Sequence, residues 1–327
     1  MKIFSGVRPT GQFHLGNYLG ALKNWINLQE NHTGIFSIVD LHAITTPYDP
    51  QKLQEKIFSI AATYLSAGLD PDKATIFVQS KVKEHAELAW LLGTIAPVGE
   101  LKRMTQYKTK SKKLKAGQIN AGLLNYPLLM SADILLYQAE GVPIGEDQEQ
   151  HLELARTLAR KFNNEFGETF IIPEKIVPKV GARIKSLQDP EQKMSKSGSD
   201  NGNIYLNDDP AIIRKKVKKA VTDSENKIKY DPDNKAGLSN LITIYSIFTG
   251  KEIKEIEKEF SDSGYGEFKE VVAETIVDGL SSFQEEYKKL QNNPEKVEKI
   301  LEEGRRKAQK IASKNILKIK KKMGLIT

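Results

Sequence analysis

The first 80 residues alternate between short apolar runs and longer segments with helical periodicity, and this alternation limits the possible folds more than any other feature. The apolar runs are KIFSGV (2–7), GIFSIVD (34–40) and ATIFVQS (74–80). The segments between them, 17–31 and 49–70, place apolar side chains at helical spacing. Asp49 before Pro50 is a typical helix start. Strands separated by helices of this length form right-handed crossovers, so the sequence predicts an α/β fold with a parallel sheet.

The pattern changes after about residue 199, where strand signals nearly vanish. Before that point helical patterns occupy 83–96, 117–139 and 147–163, and strand character returns at Thr169–Ile172. After it, every long segment favours helix: 208–221, 237–250, 267–290 and 294–323. We therefore expect an α/β domain over 1–198 and a helical domain over 199–327. The stretches 104–118 and 198–203 are expected to be the most mobile loops.

Composition excludes several classes of site. The chain has no cysteine, which rules out disulfides, thiolate metal sites and a cysteine nucleophile. The N-terminus lacks the apolar core of a signal peptide, and no apolar run reaches the length of a membrane helix, so we expect a cytoplasmic protein without membrane contact. The net charge of +7 suits a polyanionic partner. Nine Lys and Arg and no acid follow from Arg305 onwards, either as a solvated helix face or as a contact for that partner.

Two loops have the composition of phosphate-binding segments. The first, GVRPTGQFHLGN, follows the first strand and opens the first helix, where free N–H groups attract anions. Gly11 and Gly16 allow close backbone approach, and His14 can donate a ring N–H. The second, residues 185–203, carries Lys193 and Lys196 in a run of Ser, Gly, Asp and Asn. Cations on such a loop can close over a triphosphate. Taken singly, the first loop is also compatible with an ordinary strand-to-helix turn. The second loop is also compatible with an exposed polar linker.

Together the two loops resemble the signatures of class I aminoacyl-tRNA synthetases. HLGN (14–17) resembles the first signature, and KMSKS (193–197) matches the second letter for letter. The order and separation fit the small subclass for tryptophan and tyrosine. The segments PTGQFHLGNYLGAL, YPLLMSADILLY, GEDQEQHLELAR, PKVGARI and AVTDSE are similar to those of bacterial-type tryptophanyl enzymes. This resemblance implies a Rossmann-like doubly wound sheet with a helical C-terminal domain. One departure is Arg8, which stands where many relatives carry Gln.

The resemblance also implies which residues meet the nucleotide. His14, Lys193 and Lys196 become the catalytic candidates, stabilising charge on the phosphates. Asp147 is expected at the ribose, although a helix N-cap is an alternative role for it. Ile184 is expected at the adenine. The full set implied for ATP is Arg8, Pro9, Thr10, Gly16, Asn17, Gly145, Glu146, Asp147, Ile184, Lys193, Met194, Ser195, Lys196 and Ser197.

An acidic residue inside an apolar helical run marks the expected amino-acid pocket. Asp133 lies in YPLLMSADILLY, where an unpaired acid is costly. The indole of tryptophan has one N–H and no acceptor, so a selective pocket needs an acceptor such as this carboxylate. A bond from Asp133 to local backbone or to a lysine is the alternative. Met130 lies one turn earlier on the same face. The resemblance adds Phe4, Tyr126, Val142 and Ile144 around the indole, and His42 and Gln148 at the polar end of the amino acid.

The implied reaction joins L-tryptophan to tRNA(Trp) in two steps, through an adenylate formed from ATP. Mg²⁺ is expected on the ATP phosphates and not on protein side chains. The resemblance implies a catalytic domain over 1–198, with the basic loop Lys108–Lys115 at the acceptor stem of the tRNA. It implies that the helical domain over 199–327 binds the anticodon end of the tRNA, with the basic C-terminal helix on its backbone, and that the protein is a homodimer. Three alternatives remain open: a tyrosyl-tRNA synthetase, a non-catalytic RNA-binding protein on this scaffold, and another adenylyl-transferring enzyme with a small acceptor.

Overall fold

Five parallel strands form one sheet in the order β3-β2-β1-β4-β5. The computed structural model describes residues 1–177, 184–195 and 200–326. Its strands are β1 (Lys2–Val7), β2 (Thr33–Ile38), β3 (Ala74–Val78), β4 (Gly141–Pro143) and β5 (Glu174–Ile176). The three predicted runs in the first 80 residues are thus confirmed as parallel neighbours, and β1 pairs with β2 along its whole length. Among the described residues, no helix is both long and apolar enough to span a membrane.

Helices connect the strands and make up most of the described part of the chain beyond residue 200. The first long connection consists of α1 (Leu15–Asn17), a π-helical turn (Tyr18–Leu22) and α2 (Lys23–Gln29). The helices that follow are α3 (Asp40–Ala43), α4 (Pro50–Ser66), α5 (Glu84–Ile95), α6 (Val98–Arg103), α7 (Thr105–Lys113), α8 (Ala121–Leu135), α9 (Glu149–Phe166), α10 (Pro210–Lys218), α11 (Ala236–Thr249), α12 (Ile253–Glu259), α13 (Tyr265–Gln291) and α14 (Pro294–Lys322). At the start of α4, the carboxylate of Asp49 accepts from the N–H of Gln51, as the capping pattern predicts.

The alternation of side chains along each strand separates two apolar layers. On one face, Ile3, Phe36 and Ile76 pack in a cluster that extends into α10 to α13. On the other, Phe4, Ile35 and Phe77 pack with the apolar faces of α5, α8 and α9. Because both faces are covered, the central strands carry mostly apolar residues on both faces, with Ser5 and Ser37 as buried exceptions. This arrangement is the expected doubly wound α/β fold with a helical C-terminal region.

The last helix, α14, returns to the sheet and lies against the backbone of β3, an outer strand. Its contact stripe is made of small residues, Gly304, Ala308 and Ala312, all fully buried. A Cβ on Gly304 would lie 1.8 Å from the carbonyl oxygen of Ile76, so only glycine permits this approach. The domain boundary at residue 198 stays a prediction. The helix α14 belongs to the second predicted domain but packs on β3 of the first.

Two local predictions were wrong. Thr169–Ile172 is not a strand, because side chains occupy its backbone groups: the amide oxygen of Asn163 accepts from the N–H groups of Thr169 and Phe170, and Gln138 accepts from Ile171. Pairing with β4 begins only at Glu174. The stretch 104–118, predicted as a loop, contains α7.

Candidate active site

The cleft opens where the strand order reverses, with β2 on one side of β1 and β4 on the other. Open parallel sheets bind ligands outside the carboxyl ends of their strands at such a point. A cleft of about 450 Å³ begins here along β1 and its continuation, from Phe4 to Arg8. Most of the predicted residues line it: Phe4, Arg8, Thr10, Asn17, His42, Tyr126, Met130, Asp133, Val142, Ile144, Gly145, Asp147 and Gln148.

The remaining predicted residues that the structure describes are not part of this lining: Pro9, His14, Gly16, Glu146, Ile184, Lys193, Met194 and Ser195. Lys196 and Ser197 lie outside the described residues. The roles of Lys196 and Ser197 at the nucleotide, and the closure of the second loop, therefore stay predictions.

The two predicted phosphate loops lie side by side, although they are distant in sequence. The N–H of Leu15 donates to the carbonyl of Ile204 across 2.8 Å, and the amide of Asn203 donates to the carbonyl of Ser195 across 2.8 Å. These bonds join the start of the first helix to the segment that carries the described part of the lysine loop.

Buried side chains also pack the first loop against the segment that leads into the lysine loop. The His14 side chain is 2% exposed and the Ile184 side chain is buried beside it. A Cβ on Gly16 would lie 3.1 Å from His14 Nδ1 and 3.6 Å from Ile184 Cβ, so glycine lets these parts pack closely. The N–H of Met194 donates to Ile184 across 3.0 Å. Lys193, in contrast, is exposed, where its ammonium is free to meet solvent or a ligand.

Asp133 is buried at the floor of the cleft and is bonded to side chains from three other segments. Its Oδ2 lies 2.8 Å from His42 Nε2, and its Oδ1 lies 2.6 Å from both Gln79 Nε2 and His85 Nδ1. The alternative of a local backbone or lysine partner is therefore wrong. Burial by itself raises the pKa of Asp133, but the charges and hydrogen bonds of His42 and His85 outweigh it and lower the pKa to about 2. The carboxylate is ionised and acts only as an acceptor at neutral pH.

The opposite wall of the cleft is cationic. Lys110 of α7 lies with its ammonium 4.6 Å from the centre of the Tyr126 ring, and burial together with the charge of Arg8 lowers the pKa of Lys110 to about 8. The Tyr126 hydroxyl lies 2.8 Å from His151 Nε2. Burial and the charge of Lys110 lower the pKa of His151 to about 4, so this ring is neutral. Positive charge at this wall therefore comes from Arg8 and Lys110.

The turn after β4 supplies the third wall. Glu146–Gln148 forms a 3₁₀ turn, and the Gln148 amide donates to Asp147 Oδ2 across 2.7 Å. The N-cap position of α9 belongs to Gln148, so the alternative role of Asp147 as that cap is wrong. A Cβ on Gly145 would lie 3.0 Å from Asp147 Oδ1, and its absence gives the carboxylate room at the edge of the cleft.

Comparison with known proteins identifies the family. The family model for class I tRNA synthetases of the tryptophan and tyrosine group matches residues 1–281. The chain belongs to this class I tRNA synthetase family.

Within this synthetase family the chain is similar to bacterial tryptophan enzymes. It is 51% identical over 326 residues to the tryptophan–tRNA ligase of Caldanaerobacter subterraneus subsp. tengcongensis, covering 99% of this chain and 98% of the relative. The tryptophanyl-tRNA synthetase structure from Mycoplasma pneumoniae superimposes with a TM-score of 0.90 at 36% identity over 99% of this chain and 98% of that one. The Campylobacter jejuni enzyme, solved with ADP and tryptophan, gives 0.86 at 36% identity over 99% and 100%. The resemblance to bacterial-type tryptophanyl-tRNA synthetases, based on the two signature loops and the similar segments around them, is confirmed.

Four residues of this synthetase site were not predicted from the sequence: Gln79, His85, Lys110 and Tyr137. Gln79 directly follows β3, and a polar side chain at the carboxyl end of a parallel strand is a sequence signal for a ligand-binding residue. His85 and Tyr137 carry no local signal, because they meet Asp133 and each other only in the folded chain. Lys110 was grouped with the basic loop expected at the tRNA, yet its side chain lines the cleft.

Proposed function

We propose that this chain acts as a tryptophan–tRNA ligase. It activates L-tryptophan with ATP, releasing diphosphate and forming tryptophanyl-adenylate, and then transfers the tryptophanyl group to the 3′ end of tRNA(Trp). The observation that carries the proposal is Asp133, an ionised carboxylate at the floor of the cleft beside the apolar side chains of Phe4, Met130, Val142 and Ile144, at the ligand-binding end of the sheet.

The amino acid would lie with its indole against the inner half of the cleft. Phe4, Met130, Val142 and Ile144 supply apolar contact there, and Asp133 supplies the acceptor for the indole N–H. Rejection of substrates that lack this N–H follows from the cost of leaving a buried acceptor unpaired. Gln148 is the candidate for the polar end of the amino acid. His42 already uses Nε2 on Asp133, so only its Nδ1 is available to that end.

The nucleotide would occupy the outer half, with its phosphates toward Arg8 and Lys110. Thr10, Asn17, Gly145 and Asp147 line the same part of the cleft. The tryptophan carboxylate is already ionised, so its attack on the α-phosphorus needs no protein base. Catalysis then consists of alignment and of stabilising charge on the leaving diphosphate.

His14, Lys193 and Lys196 are proposed to act with Arg8 and Lys110 on that charge. Two hydrogen bonds support this: Leu15 of the first loop donates to Ile204, and Asn203 donates to Ser195, so the described part of the lysine loop is held beside the first loop. Mg²⁺ would arrive bound to the ATP phosphates, which are its preferred oxygen ligands. In the second step the tRNA 2′-OH attacks the activated carbonyl and AMP leaves.

The basic face of α14 supports tRNA as the acceptor. Lys314, Lys318, Lys321 and Lys322 border one shallow surface there, and cations in a row suit a phosphate backbone. This favours tRNA over a small-molecule acceptor. We propose a cytoplasmic location for the reaction.

We also propose a homodimer formed through an apolar groove between α5 and α8. Trp90 is 76% exposed at this groove and Val98 is 59% exposed. A second copy of the chain is the proposed occupant because the groove lining has no charged side chain, which disfavours nucleic acid. Tyr126 lines both the groove and the cleft, so the second copy would stabilise a wall of the active site.

ATP–diphosphate exchange with single amino acids tests the function. Tryptophan should drive exchange, tyrosine and phenylalanine should not, and tRNA(Trp) should then accept the activated residue. Exchange driven by tyrosine would establish the tyrosyl alternative, and no exchange with any amino acid would favour the non-catalytic one.

A further inference from the structure

The three hydrogen-bond donors around Asp133 are distributed unequally between its two carboxylate oxygens. Oδ1 receives two donors, the Gln79 amide and His85 Nδ1, each at 2.6 Å. Oδ2 receives one, from His42 Nε2 at 2.8 Å. A carboxylate oxygen has two lone pairs. Oδ1 is therefore saturated, whereas Oδ2 keeps one lone pair for a further donor.

The partners also differ in position. His42 lines the cleft with Asp133, whereas Gln79 and His85 are fully buried and belong to no wall of it. Gln79 Oε1 accepts from the N–H of Leu41, 3.1 Å away, so its amide orientation is fixed. The two donors on Oδ1 thus hold the carboxylate from behind and leave the free lone pair of Oδ2 on the ligand side.

Tyr137 fixes the orientation of the His85 ring. Its hydroxyl lies 2.7 Å from His85 Nε2, and both side chains are fully buried. Because ionised Asp133 only accepts, His85 Nδ1 carries the proton of their hydrogen bond, and the bond between Nε2 and the Tyr137 hydroxyl holds the ring in this orientation. Tyr137, His85 and Asp133 form a chain of hydrogen bonds that ends on the ligand-binding carboxylate.

We propose that His85 and Gln79, with Tyr137 behind His85, are positioning residues that determine specificity for an aromatic ring bearing an N–H. They saturate Asp133 Oδ1 so that Oδ2 is the one acceptor presented to the ligand. This inference rests on the proposed function and extends it beyond the residues that line the pocket.

An isosteric substrate pair isolates this role. In β-(3-benzothienyl)alanine a sulfur replaces the indole N–H, so the ratio of kcat/KM in ATP–diphosphate exchange between tryptophan and this analogue measures the N–H contact. Because one enzyme sample serves both substrates, the ratio does not depend on the fraction of folded protein. The natural chain should prefer tryptophan strongly.

Three variants test the proposal with matched chemistry. His85→Phe removes the donor and should lower the ratio at least tenfold, mainly through the KM for tryptophan and not that for ATP. His85→Asn places its Nδ2 near the former Nδ1 and should retain most of the preference. Tyr137→Phe removes one hydroxyl and should lower the ratio a few-fold.

Asp133→Asn separates the inference from the proposed function. If Asp133→Asn lowers the ratio but His85→Phe leaves it unchanged, the inference is wrong and the proposed pocket stands. If His85→Asn is as impaired as His85→Phe, the donor role is wrong. If Asp133→Asn itself leaves the ratio unchanged, the proposed pocket fails.

Discussion

At the scale of single residues, the cleft pairs an acceptor-only carboxylate on one side with cations on the other. Asp133 and Lys110 are both displaced from their ordinary pKa values, for opposite reasons: hydrogen-bond partners dominate at Asp133, and burial dominates at Lys110. In the proposed binding mode, the amino acid lies beside an anionic side chain, and the nucleotide phosphates lie beside cationic side chains of the same cleft. Each displacement gives a measurable pH dependence.

The ammonium of Lys110 should make nucleotide binding sensitive to mildly alkaline pH. Its pKa is lowered to about 8, so it loses its proton as pH rises through this value. The KM for ATP should increase several-fold between pH 7 and pH 9. Lys110→Arg keeps the charge throughout this range and should remove the increase. Lys108→Arg, at an exposed position of the same helix, is the matched control and should behave as the natural chain. An unchanged pH dependence in Lys110→Arg would exclude a phosphate role for this ammonium.

The carboxylate of Asp133 should stabilise the fold above pH 4 and lose that contribution in acid. Its pKa falls from 3.8 to about 2 on folding. A depressed pKa contributes stability above the unfolded value, here about 2 kcal/mol, and about half of it is lost by pH 3. Asp133→Asn does not titrate, so the difference in free energy of unfolding between the two proteins should shrink between pH 5 and pH 3. Urea unfolding at both pH values measures this, and a constant difference would contradict the depressed pKa.

At the scale of elements, local patterns predicted most of the secondary structure. The apolar runs of β1, β2 and β3 and the cap of α4 are read directly from neighbouring residues. Thr169–Ile172 has the composition of a strand for the same reason, but side chains from outside the segment, Asn163 nearby and Gln138 further away, satisfy its backbone. The hydrogen bonds behind Asp133 leave no local pattern either, because Gln79 and His85 come from segments about fifty residues away from it. Side-chain hydrogen bonds from other segments therefore account for both the wrong strand and the missed site residues.

The contact between α14 and β3 should depend on Gly304. Gly304→Ala inserts a methyl group within 1.8 Å of the Ile76 carbonyl, where only backbone lies and little can move aside. We expect a loss of about 1–3 kcal/mol in the free energy of unfolding. Gly266→Ala in α13, where a Cβ would meet no atom within 4 Å, is the matched control and should be neutral or gain about 0.5–1 kcal/mol. Equal effects of the two substitutions on the free energy of unfolding in urea would show that α14 does not pack closely against the backbone of β3.

At the scale of the whole molecule, the exposed groove beside Trp90 and the cleft share one wall. Tyr126 belongs to both, and its hydroxyl is tied to His151 behind the cleft. Association of two copies would therefore shield an apolar surface and restrain the aromatic wall of each active site at the same time. This predicts that assembly and activity respond together to a change in the groove.

Trp90→Glu should convert the dimer to a monomer, because it introduces a charge into an apolar contact. Light scattering should give twice the mass of one chain for the natural protein and a single-chain mass for the variant. Exchange activity should fall with dissociation. Val177→Glu, at a 68% exposed position away from the groove, is the control and should remain dimeric. A dimeric Trp90→Glu protein would place the interface elsewhere.

The position of α14 has a consequence for how the chain is made. β3 ends at Val78, whereas α14 begins at Pro294, so β3 is synthesised long before the helix that covers its outer edge. Uncovered strand edges are sites where nascent chains stick to one another. A chain that is interrupted before residue 304 would therefore leave this edge exposed, and we expect such a fragment to associate with other chains through it.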